Sequence, residues 1–125
     1  MQTIELSPLS KAWLIDIDGT IFQHNGYLNG ADQLLPGVTE FFNGLPSTDK
    51  IILLTARSQQ FKVSTLAALT HHGIRYDSVL FDMPLGERIL INDTKPSGLQ
   101  TAYAINVARD AGLGQISAAL KIVDK

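Results

Sequence analysis

The sequence predicts an α/β domain built on a mainly parallel sheet covered on both faces by helices. Three observations carry this expectation. Residues 12–15 (Ala-Trp-Leu-Ile) and 51–54 (Ile-Ile-Leu-Leu) are short apolar runs of the kind that form buried strands. Segments with helix start and stop chemistry alternate with such runs. The 125 residues, 45% of them hydrophobic, suffice for one domain with a core of its own.

Each element has its own signal. Residues 11–17 read as the first strand. Residues 20–31 carry Asn25-Gly26 and Asn29-Gly30 around Phe22, Tyr27 and Leu28. Asn-Gly is a strong hairpin signal, so a small β-flap is expected over the strand end. Pro36-Gly37 opens a helix that closes near Gly44-Leu45-Pro46. Residues 50–55 form the second strand. Ser58 is placed to cap the following helix, whose apolar side includes Phe61, Leu66 and Leu69 and which His72-Gly73 ends. Residues 77–81 and 89–92 read as two more short strands. In residues 101–107, Tyr103, Ile105 and Val107 alternate with Ala102, Ala104 and Asn106, which favours a strand, although the alanines also suit a helix. Ile116, Leu120 and Val123 suggest a closing helix over the tail, residues 117–125.

Composition narrows the function classes. The net charge of −2 offers no basic surface for nucleic acid or anionic membrane. The absence of cysteine excludes disulfides, zinc thiolate sites, iron–sulfur clusters and cysteine nucleophiles, and it fits a cytoplasmic protein. Residues 1–8 lack the basic start and apolar centre of a signal peptide. No apolar run approaches the roughly 18 residues of a membrane-spanning helix.

The most informative stretch is Asp16-Ile17-Asp18-Gly19-Thr20. Aspartates at i and i+2 on a strand share one face, while Ile15 and Ile17 take the other. Gly19 permits a sharp turn. Two carboxylates so close call for a cation, and oxygen-only ligands suit Mg²⁺. In parallel sheets, ligands bind beyond the carboxyl ends of the strands. That rim is expected to gather Asp16 and Asp18, then Thr55-Ala56-Arg57, then Asp82, then Asn92-Asp93-Thr94-Lys95.

Each residue type has a task in phosphoryl transfer. Asp16 would be the nucleophile and a Mg²⁺ ligand. Asp18 would protonate the leaving oxygen and later activate water. Thr55 would donate its hydroxyl to a phosphate oxygen. Asp93 would complete the metal site, and Lys95 would neutralise the phosphate. Gly19 and Thr20 would line the phosphate position. Arg57 would be a second cation at the phosphate or the substrate, and Asp82 either touches substrate or simply initiates a turn.

These residues in this order resemble the haloacid dehalogenase superfamily of aspartyl-phosphate phosphatases. Leu14-Ile15-Asp16-Ile17-Asp18-Gly19-Thr20 resembles its first motif, Leu53-Leu54-Thr55 its second, and Ile89-Leu90-Ile91-Asn92-Asp93 its fourth. The resemblance implies a three-layer Rossmann-like (HAD-like) core over residues 1–125, Mg²⁺, a covalent aspartyl phosphate, and a metal contact from the Asp18 main-chain carbonyl. Asn92 departs from the pattern, because an acid often stands there. The third-motif cation is also displaced. Arg88 precedes residue 93 by five positions, roughly 16 Å along a strand, and so would face the wrong rim. Lys95 is therefore the expected cation. The chain also resembles the members without a cap domain, since residues 20–35 hold only a flap.

An open rim suits either a bulky substrate or a homo-oligomer in which a neighbouring subunit covers the site. The leading expectation is Mg²⁺-dependent hydrolysis of a small phosphorylated metabolite such as a sugar phosphate. A phosphatase of nucleic-acid ends is disfavoured by the acidic balance. A non-catalytic phosphate- or partner-binding module on the same fold is the third reading, motivated by Asn92 and the displaced cation.

Overall fold

The computed structural model describes residues 1–124. In chain order its elements are β1 (Ile4–Leu6), β2 (Ala12–Asp16), α1 (Val38–Asn43), β3 (Lys50–Leu54), α2 (Lys62–His71), β4 (Ser78–Leu80), α3 (Gly114–Ala119) and β5 (Leu120–Ile122). β2, β3 and β4 form a parallel three-stranded sheet in that order, and β1 pairs in parallel with β5 in a second, two-stranded sheet. The chain is thus a small α/β domain with parallel strands in two sheets, an arrangement consistent with a Rossmann-like fold. The single central sheet expected from the sequence is divided.

Strand alternation explains where the core sits. Ile15, Ile17, Ile51 and Leu53 are buried and join Val38, Phe41 and Phe42 from α1, Leu69 from α2 and Ile116 from α3. Trp13 packs edge-on against Phe41, and its indole N–H donates to the buried Asp49 carboxylate at 2.9 Å. The opposite face of the sheet is only partly covered. Leu14 on β2 is 49% exposed and Leu80 on β4 is 44% exposed. Helices on both faces were expected; here they pack against one.

Four elements differ from expectation, each for a local reason. The flap is not a β-hairpin. A tight Asn-Gly hairpin needs positive φ at both central residues; Asn25 has φ 58°, but Gly26 does not follow it and instead opens a 3₁₀ turn over Gly26–Asn29. The loop is closed at its base by Gln23 N–H to Gln33 O and Leu35 N–H to Ile21 O, both 2.9 Å. Residues 89–92 and 101–107 are not strands. Here local bonds replace a ladder: Asn92 Nδ2 donates to Thr101 O, the Thr101 hydroxyl donates to Asp93 O, and Gly98 N–H donates to Lys95 O. The tail is a short helix followed by a strand, because Leu120 turns to extended backbone and joins β1. Lys125, the last residue of the expected tail helix, lies outside the described residues.

Register sets the rim. Asp16 pairs with Leu54, and Leu54 with Leu80, so all three strands of the larger sheet end together.

Candidate active site

The turn after β2 is built from backbone bonds. Thr20, Ile21 and Phe22 N–H all donate to Ile17 O, and Gly19 N–H donates to Phe22 O at 2.7 Å. Gly19 takes φ +82°, which a side chain would strain, and its absent Cβ leaves room for the Arg109 side chain, whose Cγ would lie 3.3 Å from it. The turn holds Asp16 and Asp18 at one mouth. With Gly19, Thr20, Val107 and Arg109 they line a cavity of about 250 Å³.

The two carboxylates differ in setting. Asp18 is clamped. Thr55 Oγ1 donates to its Oδ2 at 2.9 Å, and Arg57 reaches Oδ1 from Nε at 3.0 Å and from Nη2 at 2.9 Å. The same guanidinium grips Asp32 at 2.8 and 3.0 Å and donates to Thr65 at 3.0 Å. It also stacks on Tyr27, 3.9 Å from the ring centroid. Arg57 is 3% exposed. Burial pulls its pKa down, but the bonds to Asp32 and Asp18 outweigh that and raise it. The fork shape of the guanidinium suits two carboxylates at once.

Asp16 is freer. Burial raises its pKa, Arg88 opposes this, Asp18 adds to it, and the Ile17 N–H and Thr20 side chain oppose it more weakly. Arg88 Nη2 lies 3.7 Å from Asp16 Oδ1. With both side chains about two-fifths exposed, that ion pair is a loose surface one.

Several sequence expectations change here. Asp16, Asp18, Gly19 and Thr20 do come together. Thr55 reaches the site, where its buried hydroxyl donates to Asp18. Arg57 is likewise internal, committed to two carboxylates instead of to a ligand. Asp82 is exposed in left-handed backbone (φ 57°), and its N–H donates to Arg57 O at 2.8 Å, so it forms the turn. Asp93 and Lys95 leave the rim altogether. Lys95 lines a separate cavity with Leu9, Gln100 and Tyr103, and Tyr103 reaches Glu5, before β2. Arg88 takes the place expected for Lys95. The strand-length reasoning against Arg88 fails because residues 89–92 form no strand.

Asp32, Tyr27 and Arg109 were not foreseen. Asp32 and Tyr27 sit in a stretch that reads as a hairpin. Arg109 is brought in by a turn that no short-range pattern announces.

A Mg²⁺ cage of three side chains does not exist here: among the described residues no group of three or more acidic, His or Cys side chains converges. A water-rich Mg²⁺ can be held by one or two carboxylates plus a substrate phosphate. Asp16 fits that smaller task, because its donors are hard oxygens and its carboxylate is not clamped.

Compared with family models, curated proteins and solved structures, the chain matches nothing in any of the three.

Proposed function

We propose that the chain is a Mg²⁺-dependent phosphomonoester hydrolase of the haloacid dehalogenase type, in which Asp16 is the nucleophile. The observation that carries this reading is the asymmetry of the paired carboxylates. Asp16 is accessible, faces the cavity and has Arg88 beside it. Asp18 is pinned by Arg57 and Thr55. Two acids with different environments are the usual basis for two different roles.

In this reading an Asp16 oxygen attacks phosphorus in line with the leaving oxygen. The P–O bond to the alcohol breaks, giving an aspartyl phosphate, which water then hydrolyses. Asp18, ion-paired in the resting protein, is poised to take the proton from that water. Esters with good leaving groups, which need no proton from Asp18, should turn over fastest. Arg88 disperses the phosphate charge once it lets go of Asp16. Mg²⁺, when bound by Asp16 and the phosphate, supplies further charge neutralisation.

The test is phosphate release from a panel of aryl and sugar phosphomonoesters with Mg²⁺ or with EDTA. Mg²⁺-dependent release lost in folded Asp16→Asn supports the proposal; unchanged release in that variant refutes it. The departure of Asp93 and Lys95 from the mouth favours one other reading, a phosphate-binding module without turnover. It predicts phosphate binding by the wild type with no release from any ester.

A further inference from the structure

We propose that Arg109 forms a second anion subsite, so that the substrate carries another negatively charged group beside the phosphate at Asp16. This rests on the phosphoester reading above.

The first ground is charge pairing. Asp18 and Asp32 share Arg57, and Asp16 has Arg88. Arg109 also lines the cavity, yet it ion-pairs with no carboxylate among the described residues. Its neighbour Asp110 forms no salt bridge with it and turns Oδ1 to the His24 N–H at 2.8 Å. Arg109 is therefore a cavity-lining cation that no carboxylate pairs among the described residues.

The second ground is that its backbone is held. Asp110 N–H donates to Gly19 O at 2.9 Å, with Asp110 in left-handed backbone (φ 64°). Three residues later Leu113 N–H donates to Pro36 O at 3.0 Å. Gly112 between them passes so close to Pro36 that a Cβ would lie 2.0 Å from its carbonyl oxygen. Val107, two residues before Arg109, packs against the core. A long cation on a tethered turn loses less freedom on binding than one on a loose loop.

The third ground is room. The cleft of about 250 Å³ is lined by Asp16 and by Arg109 and opens to solvent, which leaves space beside a phosphate at Asp16. Arg88 approaches from the Asp16 side, while Arg109 lies over Gly19. The guanidinium fork matches either a phosphate or a carboxylate.

The experiment measures binding by calorimetry at fixed excess Mg²⁺, using three probes: inorganic phosphate, methylenediphosphonate and phosphonoacetate. Wild type is compared with Arg109→Ala and Arg109→Lys, and phosphate release is assayed alongside. The expected result is that Arg109→Ala weakens a doubly anionic probe about tenfold, the worth of a charge-assisted pair. Inorganic phosphate should weaken less than about twofold, as for a screened neighbour. Arg109→Lys should recover part of the loss. Whether the diphosphonate or the phosphonoacetate is hit harder tells whether the second group is a phosphate or a carboxylate. Equal weakening of all three probes, or of none, overturns the subsite while leaving the hydrolase reading intact. Selective weakening in a protein that releases no phosphate upholds the subsite and overturns the hydrolase reading. Failure of the wild type to bind any probe overturns the subsite, and failure together with no phosphate release overturns both.

Discussion

The turn after β2 and the segment from Met83 to Asn106 have similar apolar content nearby but opposite fates. Around Asp16–Phe22, every apolar side chain has a buried place. Ile17, Ile21 and Phe22 are fully enclosed, and four backbone N–H groups close the turn. In the later segment Leu85, Ile89 and Ile91 stand more than four-fifths exposed, and no element forms. The difference lies in pairing. Ile15 and Ile17 have β3 beside them, its register fixed by hydrogen bonds along the whole of β2. Residues 89–91 have no strand partner, and just beyond them the Asn92 and Thr101 side chains bond the Thr101 and Asp93 carbonyls in place of a ladder. An apolar run becomes a strand only where an edge receives it.

The sharpest way to break this comparison is at Arg57. Arg57→Met would leave Asp18 and Asp32 facing each other without a cation, and is expected to cost about 3–5 kcal/mol in urea unfolding. Adding Asp18→Asn and Asp32→Asn should restore much of the loss. A single Arg57→Met variant as stable as wild type would show that the clamp does not hold the mouth together. Next, Leu53→Ala, at 0% exposure, should cost about 2–5 kcal/mol. Ile91→Ala, at 90% exposure, should stay within about 0.5 kcal/mol of wild type. Equal losses at the two positions would mean that the later segment is packed after all.

Asp16 gives a smaller effect with a definite sign. Its folded-state pKa is raised, chiefly by burial, so the folded protein resists ionising it. Between the ordinary value near 3.8 and the raised one, the folded state binds more protons than the unfolded state. Stability contributed by this group therefore falls as pH rises through that window. Asp16→Asn should match wild type well below the window and exceed it above. Turnover, which needs the carboxylate, should rise with pH across the same window. An Asp16→Asn protein less stable than wild type at neutral pH would contradict the burial account. The smallest expected effect is Ile89→Ser, which should leave the unfolding midpoint nearly unchanged and improve solubility.

Much of the sheet was legible because its signals are local. Residues 12–16, 50–54 and 78–80 announce themselves as short apolar runs, and Gly37, Gly44 and Gly73 bracket the helices. Asp16, Asp18 and Gly19 were legible for the same reason, since a strand's alternation and a glycine turn are set within five residues. The partners of the mouth were not. Asp32 finds Arg57 across 25 positions, and Arg109 reaches Gly19 across the length of the domain. Nothing in an isolated aspartate or arginine encodes such a contact. Arg57 and Thr55 were placed at the right strand end, but their bonds to Asp18 and Asp32 were not legible, because spacing fixes where a side chain starts and not which neighbour it meets. Asp93 and Lys95 failed one step earlier: their position depended on a strand that does not form.

Trapping the covalent intermediate tests the central claim most directly. The folded protein would be mixed with an aryl phosphomonoester and Mg²⁺, quenched in acid and digested, and its peptides weighed. The account predicts a phosphoryl group on the peptide containing Asp16, absent from Asp16→Asn and sensitive to alkali as an acyl phosphate is. Phosphate release with no adduct at any carboxylate, or an adduct on Asp18 instead, would contradict it.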